Sequence, residues 1–304
     1  MEIAFILLKQ IVIMFILMGI GALLYKKKII SDQGSKDIGK ILLYCVIPVV
    51  IVKNFCIKMT PEVLTTLLHE VILTLLVYGI AMGVAALVFG RRNPIAHFSA
   101  AFCNAGFIGI PLVSAVLCAE AVFYITALIV LVNILQWTYG VFIMTGDTSA
   151  ISLNKIIKNP VIISLAIGIV IFVLQIPIPE MVSSIFTTIS NLNTPLAMMV
   201  SGVYLAQSDL VAALKKKEPY MVALIRLIVI PIITILVFKF IPVGALELKL
   251  AILIPALGPT GSNVAVFAQQ YDQDYVSAVE QVCVTTILCL FTLPIAIGIA
   301  KMLL

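Results

Sequence analysis

Long apolar runs separated by short polar stretches dominate the chain. A bilayer's hydrocarbon core is crossed by an α-helix of about 20 apolar residues, and runs of that size recur from one end of the sequence to the other. About ten spans are predicted, near 3–25, 38–57, 64–90, 95–118, 120–145, 157–176, 181–206, 219–242, 247–271 and 275–303. A membrane β-barrel would alternate apolar and polar residues in short segments, whereas these runs are continuous. The expected fold class is an all-α polytopic membrane protein.

Two of the apolar runs are interrupted. Span four carries Asn104-Ala-Gly-Phe-Ile-Gly-Ile-Pro111, and span nine carries Pro255-Ala-Leu-Gly-Pro-Thr-Gly-Ser-Asn263. Unpaired backbone N–H and C=O groups facing lipid are costly, so a broken helix at membrane depth belongs inside the protein or beside a cavity. Breaks at matching positions of two halves point to a transporter's binding site. Ile47-Pro48 in span two and Thr194-Pro195 in span seven also correspond. Five spans being an odd number, the second half enters the membrane from the opposite side. The expected organisation is a first five-helix repeat over 1–145, a short cytoplasmic linker over 146–156, and an inverted second repeat over 157–304.

Composition agrees. The 304 residues are 62% hydrophobic and 11% charged, against about 25% charged in soluble domains, and the mean hydropathy is +1.22. The net charge of +5 reflects basic loops rather than a nucleic-acid surface. Lys26, Lys27, Lys28, Lys36, Lys40, Arg91, Arg92, Lys155, Lys158, Lys215, Lys216 and Lys217 fall on one side of the predicted topology. Lys9, Lys53, Lys58, Lys239, Lys249 and Lys301 fall on the other. By the positive-inside rule this bias of about two-fold makes the first loop cytoplasmic and puts both termini outside. The apolar run 11–24 ends at Tyr25-Lys-Lys-Lys28 without a small-residue cleavage pattern, so it is expected to be a first membrane helix. The six cysteines lack metal or redox spacing and are expected to be small buried apolar residues. No Walker A loop, HExxH or GxSxG occurs, so neither an enzyme nor a cofactor or metal is expected.

The breaks supply the candidate binding residues. Asn104 has an amide that donates and accepts, Gly109 permits close backbone approach, and Pro111 is expected to interrupt the helix. Beyond the interruption a new half-helix would offer free N–H groups and partial positive charge to a carboxylate. In span nine Pro255 and Pro259 bracket a small-residue stretch, with Thr260, Ser262 and Asn263 as neutral donors. In span five Asn133, Gln136 and Tyr139 either line a cavity or join helices. Arg226 and Glu280, both charged within spans, are a candidate pair. The prolines of spans two and seven are expected to bend scaffold helices.

The order and spacing of several motifs resemble the auxin efflux carrier family, whose bacterial members are often labelled malate or malonate permeases. They are Tyr44…Ile47-Pro48, Asn104…Gly109-Ile-Pro111, Lys158-Asn-Pro160, Thr194-Pro-Leu-Ala197…Gly202, Arg226…Pro231, and Pro255…Ser262 followed by Tyr271-Asp-Gln-Asp274. The resemblance covers nearly the whole chain. It implies two proline-broken crossover helices, a dimerising scaffold of spans one, two, six and seven, and a transport group of spans three to five and eight to ten that moves like an elevator. It also implies that Asn104 contacts a substrate carboxylate beside Pro111, and that Asn133, Gln136 and Tyr139 line the pocket. The long cytoplasmic loop of the plant carriers is missing here. Span three holds Thr74 and Tyr78 where some plant members have an Asp/Lys pair. The function expected is secondary or facilitative transport of a small organic acid, a mono- or dicarboxylate, by a homodimer in the cell's inner membrane. A sodium-coupled symporter of the bile-acid type is the alternative.

Overall fold

The computed structural model describes residues 2–118, 120–207 and 213–304, and among these no strand element occurs. The helices are α1 (Glu2–Lys26), α2 (Asp32–Ile41), α3 (Ile47–Asn54), α4 (Pro61–Phe89), α5 (Pro94–Ala101), α6 (Ile110–Val116), α7 (Thr126–Leu135) and α8 (Val141–Thr145). There follow α9 (Leu153–Ile157), α10 (Pro160–Leu174), α11 (Glu180–Ser190), α12 (Asn193–Gln207), α13 (Lys217–Leu224), α14 (Ile230–Phe240), α15 (Leu246–Ala256), α16 (Asn263–Gln270) and α17 (Tyr275–Leu303). Five helical stretches are long and apolar enough to cross a bilayer unaided: Phe5–Lys26, Pro61–Phe89, Ala121–Thr145, Lys217–Phe240 and Tyr275–Leu303. The pair Thr148–Ile157 and Pro160–Leu174 joins at a 46° bend and would add a sixth. The chain is a polytopic helical membrane protein.

Helix starts follow a repeated sequence device. Thr60, Asn93 and Asn159 each accept a backbone N–H of the following turn through the side-chain oxygen, and each precedes a proline that opens the helix. The cap satisfies one orphan donor, and proline in the first turn has no N–H to lose. Gly146 ends α8 in the left-handed conformation, φ 72°, where a side chain would be strained.

Prolines within spans follow a second device. Leu42–Val46, Ala105–Gly109 and Ile225–Val229 are five-residue π turns, and each runs into an Ile-Pro pair: Pro48, Pro111 and Pro231. Proline removes one hydrogen bond and its ring crowds the carbonyl four residues back. A wider turn just before it relieves that crowding without ending the helix. Pro111 therefore does not break span four, contrary to expectation. The chain leaves helical geometry earlier, over Phe102–Asn104, where Phe102 is extended at φ −116° and ψ 123°. Pro195 also differs from expectation: the helix stops at Ser190, and Pro195 lies in the first turn of α12.

The packing centre is made from broken helices. Every residue from Ile95 to Ala101 of α5 and from Leu248 to Ala256 of α15 is buried. Around them α1 crosses α12 at backbone contact distance. A Cβ on Gly21 would strike the Met199 backbone, and one on Gly202 would strike Met18. Correspondingly, α10 meets the end of α3, where Gly168 faces the Phe55 ring and Phe55 stacks edge-on against Phe172 at 6.0 Å. Phe5, Ile16 and Leu23 of α1 and Ile167, Val170 and Val173 of α10 remain exposed, as expected of surfaces that face lipid tails. Of the cysteines only Cys103, Cys283 and Cys289 are buried. Cys45 and Cys118 are exposed, correcting the expectation of uniform burial, because the outer helix faces are themselves apolar.

Gly202→Ala should lower the melting temperature, the forced separation of α1 and α12 costing about 1–3 kcal/mol. Gly19→Ala, whose Cβ would meet nothing, should hold or raise it, since glycine within a helix is unfavourable by about 0.5–1 kcal/mol relative to alanine. Thermal denaturation of the two purified variants checks both signs.

Candidate functional site

The two interruptions touch. Cys103 and Thr260 form an isolated antiparallel bridge, in which the Asn104 N–H donates to the Pro259 carbonyl at 3.0 Å and the Gly261 N–H to the Phe102 carbonyl at 3.0 Å. Each extended segment thus supplies partners for the other. The Thr260 N–H donates to Thr285 Oγ1 at 3.2 Å, and the Thr260 hydroxyl donates to the Ser99 carbonyl at 3.0 Å.

Four half-helices radiate from this crossing. α5 and α15 end at it, and their terminal carbonyls carry partial negative charge. Arg226, 1% exposed, lies between them. Its Nε donates to the Gly258 carbonyl at 3.0 Å, one terminal nitrogen to Ala100 at 3.3 Å, and the other to Ala256. One guanidinium therefore closes both helix ends. Glu280 does not pair with Arg226. It binds Lys216 at 2.6 and 2.8 Å, because the planar fork of Arg226 is already filled by carbonyls. That hydrogen bond holds the Lys216 ammonium above its ordinary pKa.

The other two half-helices start at the crossing and point away from it. Asn104 caps one, its Oδ1 accepting the Phe107 N–H at 3.3 Å. Ser262 is the cap residue of α16 without a side-chain bond. Among the described residues no acceptor pairs with the N–H groups of Ala105, Gly106, Ser262 or Asn263. Two unpaired donors stand at each of two helix starts, where the helix dipole adds partial positive charge.

These starts open into a cavity of about 700 Å³. Of the ten candidate residues, Asn104, Asn133, Gln136, Ser262 and Asn263 line it. Asn263 Nδ2 donates to Gln136 Oε1 at 2.8 Å, tying α16 to the span that carries α7, while Asn133 Nδ2 turns back to the Ile129 carbonyl at 2.8 Å. The other five lie elsewhere. Gly109 packs against Pro255, where a Cβ would clash, and Pro111 is buried within α6. Pro259 borders a gap of about 20 Å³ on the far side of the crossing, and Thr260 is buried in the bridge. The Tyr139 hydroxyl donates to His97 Nε2 at 3.1 Å, since His97 Nδ1 donates to the Gly90 carbonyl at 2.7 Å.

Sequence reasoning missed several wall residues. Leu43, Ile47, Ile129, Val132 and Phe107 make an apolar side; nothing in their composition separates them from residues facing lipid. Asp32, Lys36 and Lys40 lie where the cavity meets the first loop. Asp32 there accepts hydrogen bonds from the Tyr25 hydroxyl and Gln207. No lysine or arginine lines the inner part.

A family model described as membrane transport protein matches residues 6–297. No curated protein matches the chain.

Arg226→Met should destabilise the protein by about 3 kcal/mol or more, since hydrogen bonds to a charged group contribute about 1.5–3 kcal/mol each and their carbonyls would be left buried. Arg226→Lys, which keeps the charge and loses the fork, should fall between. Chemical denaturation of the three proteins orders them.

Proposed function

The chain belongs to the membrane transport protein family, the auxin efflux carriers, and on that premise we propose that it carries a small organic anion whose carboxylate docks between the starts of α6's π turn and α16. The chain is a membrane transporter rather than an enzyme, and its substrate is a small molecule. The observation that carries the substrate class is the convergence of unpaired Ala105, Gly106, Ser262 and Asn263 N–H groups on one cavity. Asn104 supports it, since its Nδ2 has no partner among the described residues and it lines the same space.

The cavity favours one carboxylate attached to an apolar body. Fixed partial charges suit a single anion, and the wall of Leu43, Ile47, Ile129 and Val132 suits hydrocarbon or an aromatic ring. A second carboxylate would meet cations only at Lys36 and Lys40 beside the mouth.

Alternating exposure follows an elevator scheme in this proposal. The organisation into repeats at 1–145 and 157–304, ten spans in all, is supported by the matched packings of α1 on α12 and α10 on α3. Those four helices and α2 and α11 would form the fixed scaffold, with the exposed apolar faces of α10 and α11 available for a second copy. The remaining spans would move, carrying the crossing with them. With the first loop cytoplasmic and both termini outside, as the lysine and arginine bias gives for an inner-membrane protein, the cavity opens inward. A negative interior favours export of an anion by about 2.3 kcal/mol per charge per 100 mV.

A panel of mono- and dicarboxylates should be tested by thermal stabilisation of the purified protein, with and without sodium. The melting temperature should rise as ligand concentration passes its Kd, most for an amphipathic monocarboxylate. Asn104→Ala should weaken binding about ten-fold, the equivalent of about 1.4 kcal/mol, and Tyr139→Phe should leave it unchanged. Stabilisation that requires sodium would favour the symporter alternative, and an Asn104→Ala response equal to wild type would remove the crossing as the site.

A further inference from the structure

Glu70 is a carboxylate sunk into the third turn of α4, with 0% of its surface exposed. One oxygen, Oε1, accepts the Ala127 N–H at 2.6 Å, at the start of α7. The Leu128 N–H also lies near enough to favour the charged carboxylate, but Oε2 makes no hydrogen bond of its own, and one turn along the same helix face the Thr74 hydroxyl is also buried without a partner. Thr74 and Ala127 line a second cavity of about 420 Å³, whose facing wall includes Phe55, Leu165, Ile169 and Phe172 at α3 and α10.

No described charge offsets this carboxylate. The helices packed on α4 are α5, α7, α14 and α15, with the turns 120–125 and 225–229. Their ionisable groups have other partners or exert no charge interaction on Glu70. Arg226 is held by carbonyls, Lys249 by the carbonyls of Phe238 and Ile241, and His97 by Gly90 and Tyr139. Lys239, Glu247 and Tyr124 exert none, nor do Glu62, His69 and Tyr78 on its own helix. An intramembrane ionisable side chain is a functional site by default, and here one oxygen is left with a protonation site to fill. Adding a proton forms an O–H bond at Oε2 and turns it into a donor, for which the Thr74 oxygen, one turn away, is the acceptor at hand.

The position gives the proton a task. Asn54 Nδ2 of α3 donates to Thr126 Oγ1 of α7 at 3.3 Å, one residue before Ala127, so the N–H that Glu70 binds stands where α7 meets α3, and Thr74 and Ala127 face α3 and α10 across the second cavity. In the elevator scheme proposed above, the seam between these helices would be the sliding surface, and the carboxylate is tied to its edge through Ala127. We propose that Glu70 takes up and releases a proton as the seam slides, so that one proton travels with each substrate anion; this rests on the transport reading above. Such a pair carries no net charge, and the membrane potential then no longer opposes uptake.

Two measurements test it. Infrared difference spectra of the purified protein between mildly acidic and mildly alkaline buffer should contain a protonated-carboxyl C=O band. It should vanish in Glu70→Gln, which keeps an oxygen for the Ala127 N–H, and shift in Glu70→Asp, which keeps the acid. This readout requires no substrate. In liposomes, each pH unit of inward-acid gradient should raise accumulation of a transported carboxylate about ten-fold. Glu70→Gln should lose that dependence and keep carboxylate-for-carboxylate exchange. A band unchanged in Glu70→Gln, or accumulation in that variant that follows the gradient as in wild type, would overturn the proposal. A Glu70-dependent band with no carboxylate flux under any gradient would uphold the proton site and overturn its coupling.

Discussion

The guanidinium of Arg226 and the bridge between Cys103 and Thr260 hold together a piece of backbone that hydrocarbon would otherwise forbid. Two helices stop inside the protein, and each stop leaves carbonyls on one side and N–H groups on the other. The carbonyl ends, at Ala100, Ala256 and Gly258, share one buried cation. The extended links satisfy one another through the Asn104–Pro259 and Gly261–Phe102 hydrogen bonds. On the cavity side, the N–H groups of Ala105, Gly106, Ser262 and Asn263 are left without an acceptor among the described residues. The crossing is thereby polarised: its negative ends are neutralised in the core and its positive ends face the cavity. Among the described residues no lysine or arginine lines the inner wall, so these helix starts are its electropositive element.

The same economy explains how the spans tolerate so many prolines. Pro48, Pro111 and Pro231 each follow a π turn and continue the helix, whereas the true interruption in span four falls at Phe102–Asn104, which contains no proline. The residue that stops the helix is followed by the one that restarts it, since Asn104 both joins the bridge through its N–H and caps the next turn through its side chain. Pro259 contributes its carbonyl to the bridge. Proline marks the neighbourhood of each break, and hydrogen-bond exchange between the two segments sets its position.

That distinction accounts for what could be read in the sequence. The long spans follow from apolar run lengths, and local Gly, Pro, Ser and Asn content marks the neighbourhood of both interruptions, since these are properties of a few consecutive residues; the break in span four itself, at Phe102–Asn104 rather than Pro111, is set by tertiary hydrogen bonds. Asn104, Ser262 and Asn263 were legible because they belong to those interruptions. The orientation of Tyr139 was not, because its hydroxyl is claimed by His97 from another helix. Arg226 and Glu280 were visible as charges, but their partners are set by tertiary distance, and each found a different one. Glu70 carried a signal that was overlooked: an acid directly after His69 in an otherwise apolar stretch.

Glu70 and Arg226 are both buried and charged by composition, yet the structure treats them in opposite ways. Each nitrogen of the Arg226 guanidinium donates to a carbonyl. Glu70 has one oxygen anchored to the start of α7 and the other unpaired, so its surroundings accept either protonation state with a different penalty for each. Arg226 binds segments of α5 and α15 and the link after α15, and so ties the two interrupted helices to each other. Glu70 binds the start of α7 beside Thr126 and lies one turn from Thr74, and both threonines line the cavity between α4 and α7 and the facing α3 and α10. The contrast is between a cation whose three nitrogens each meet a carbonyl and a carboxylate with one oxygen bound and one left over, and only the second has a site open to a further proton or donor.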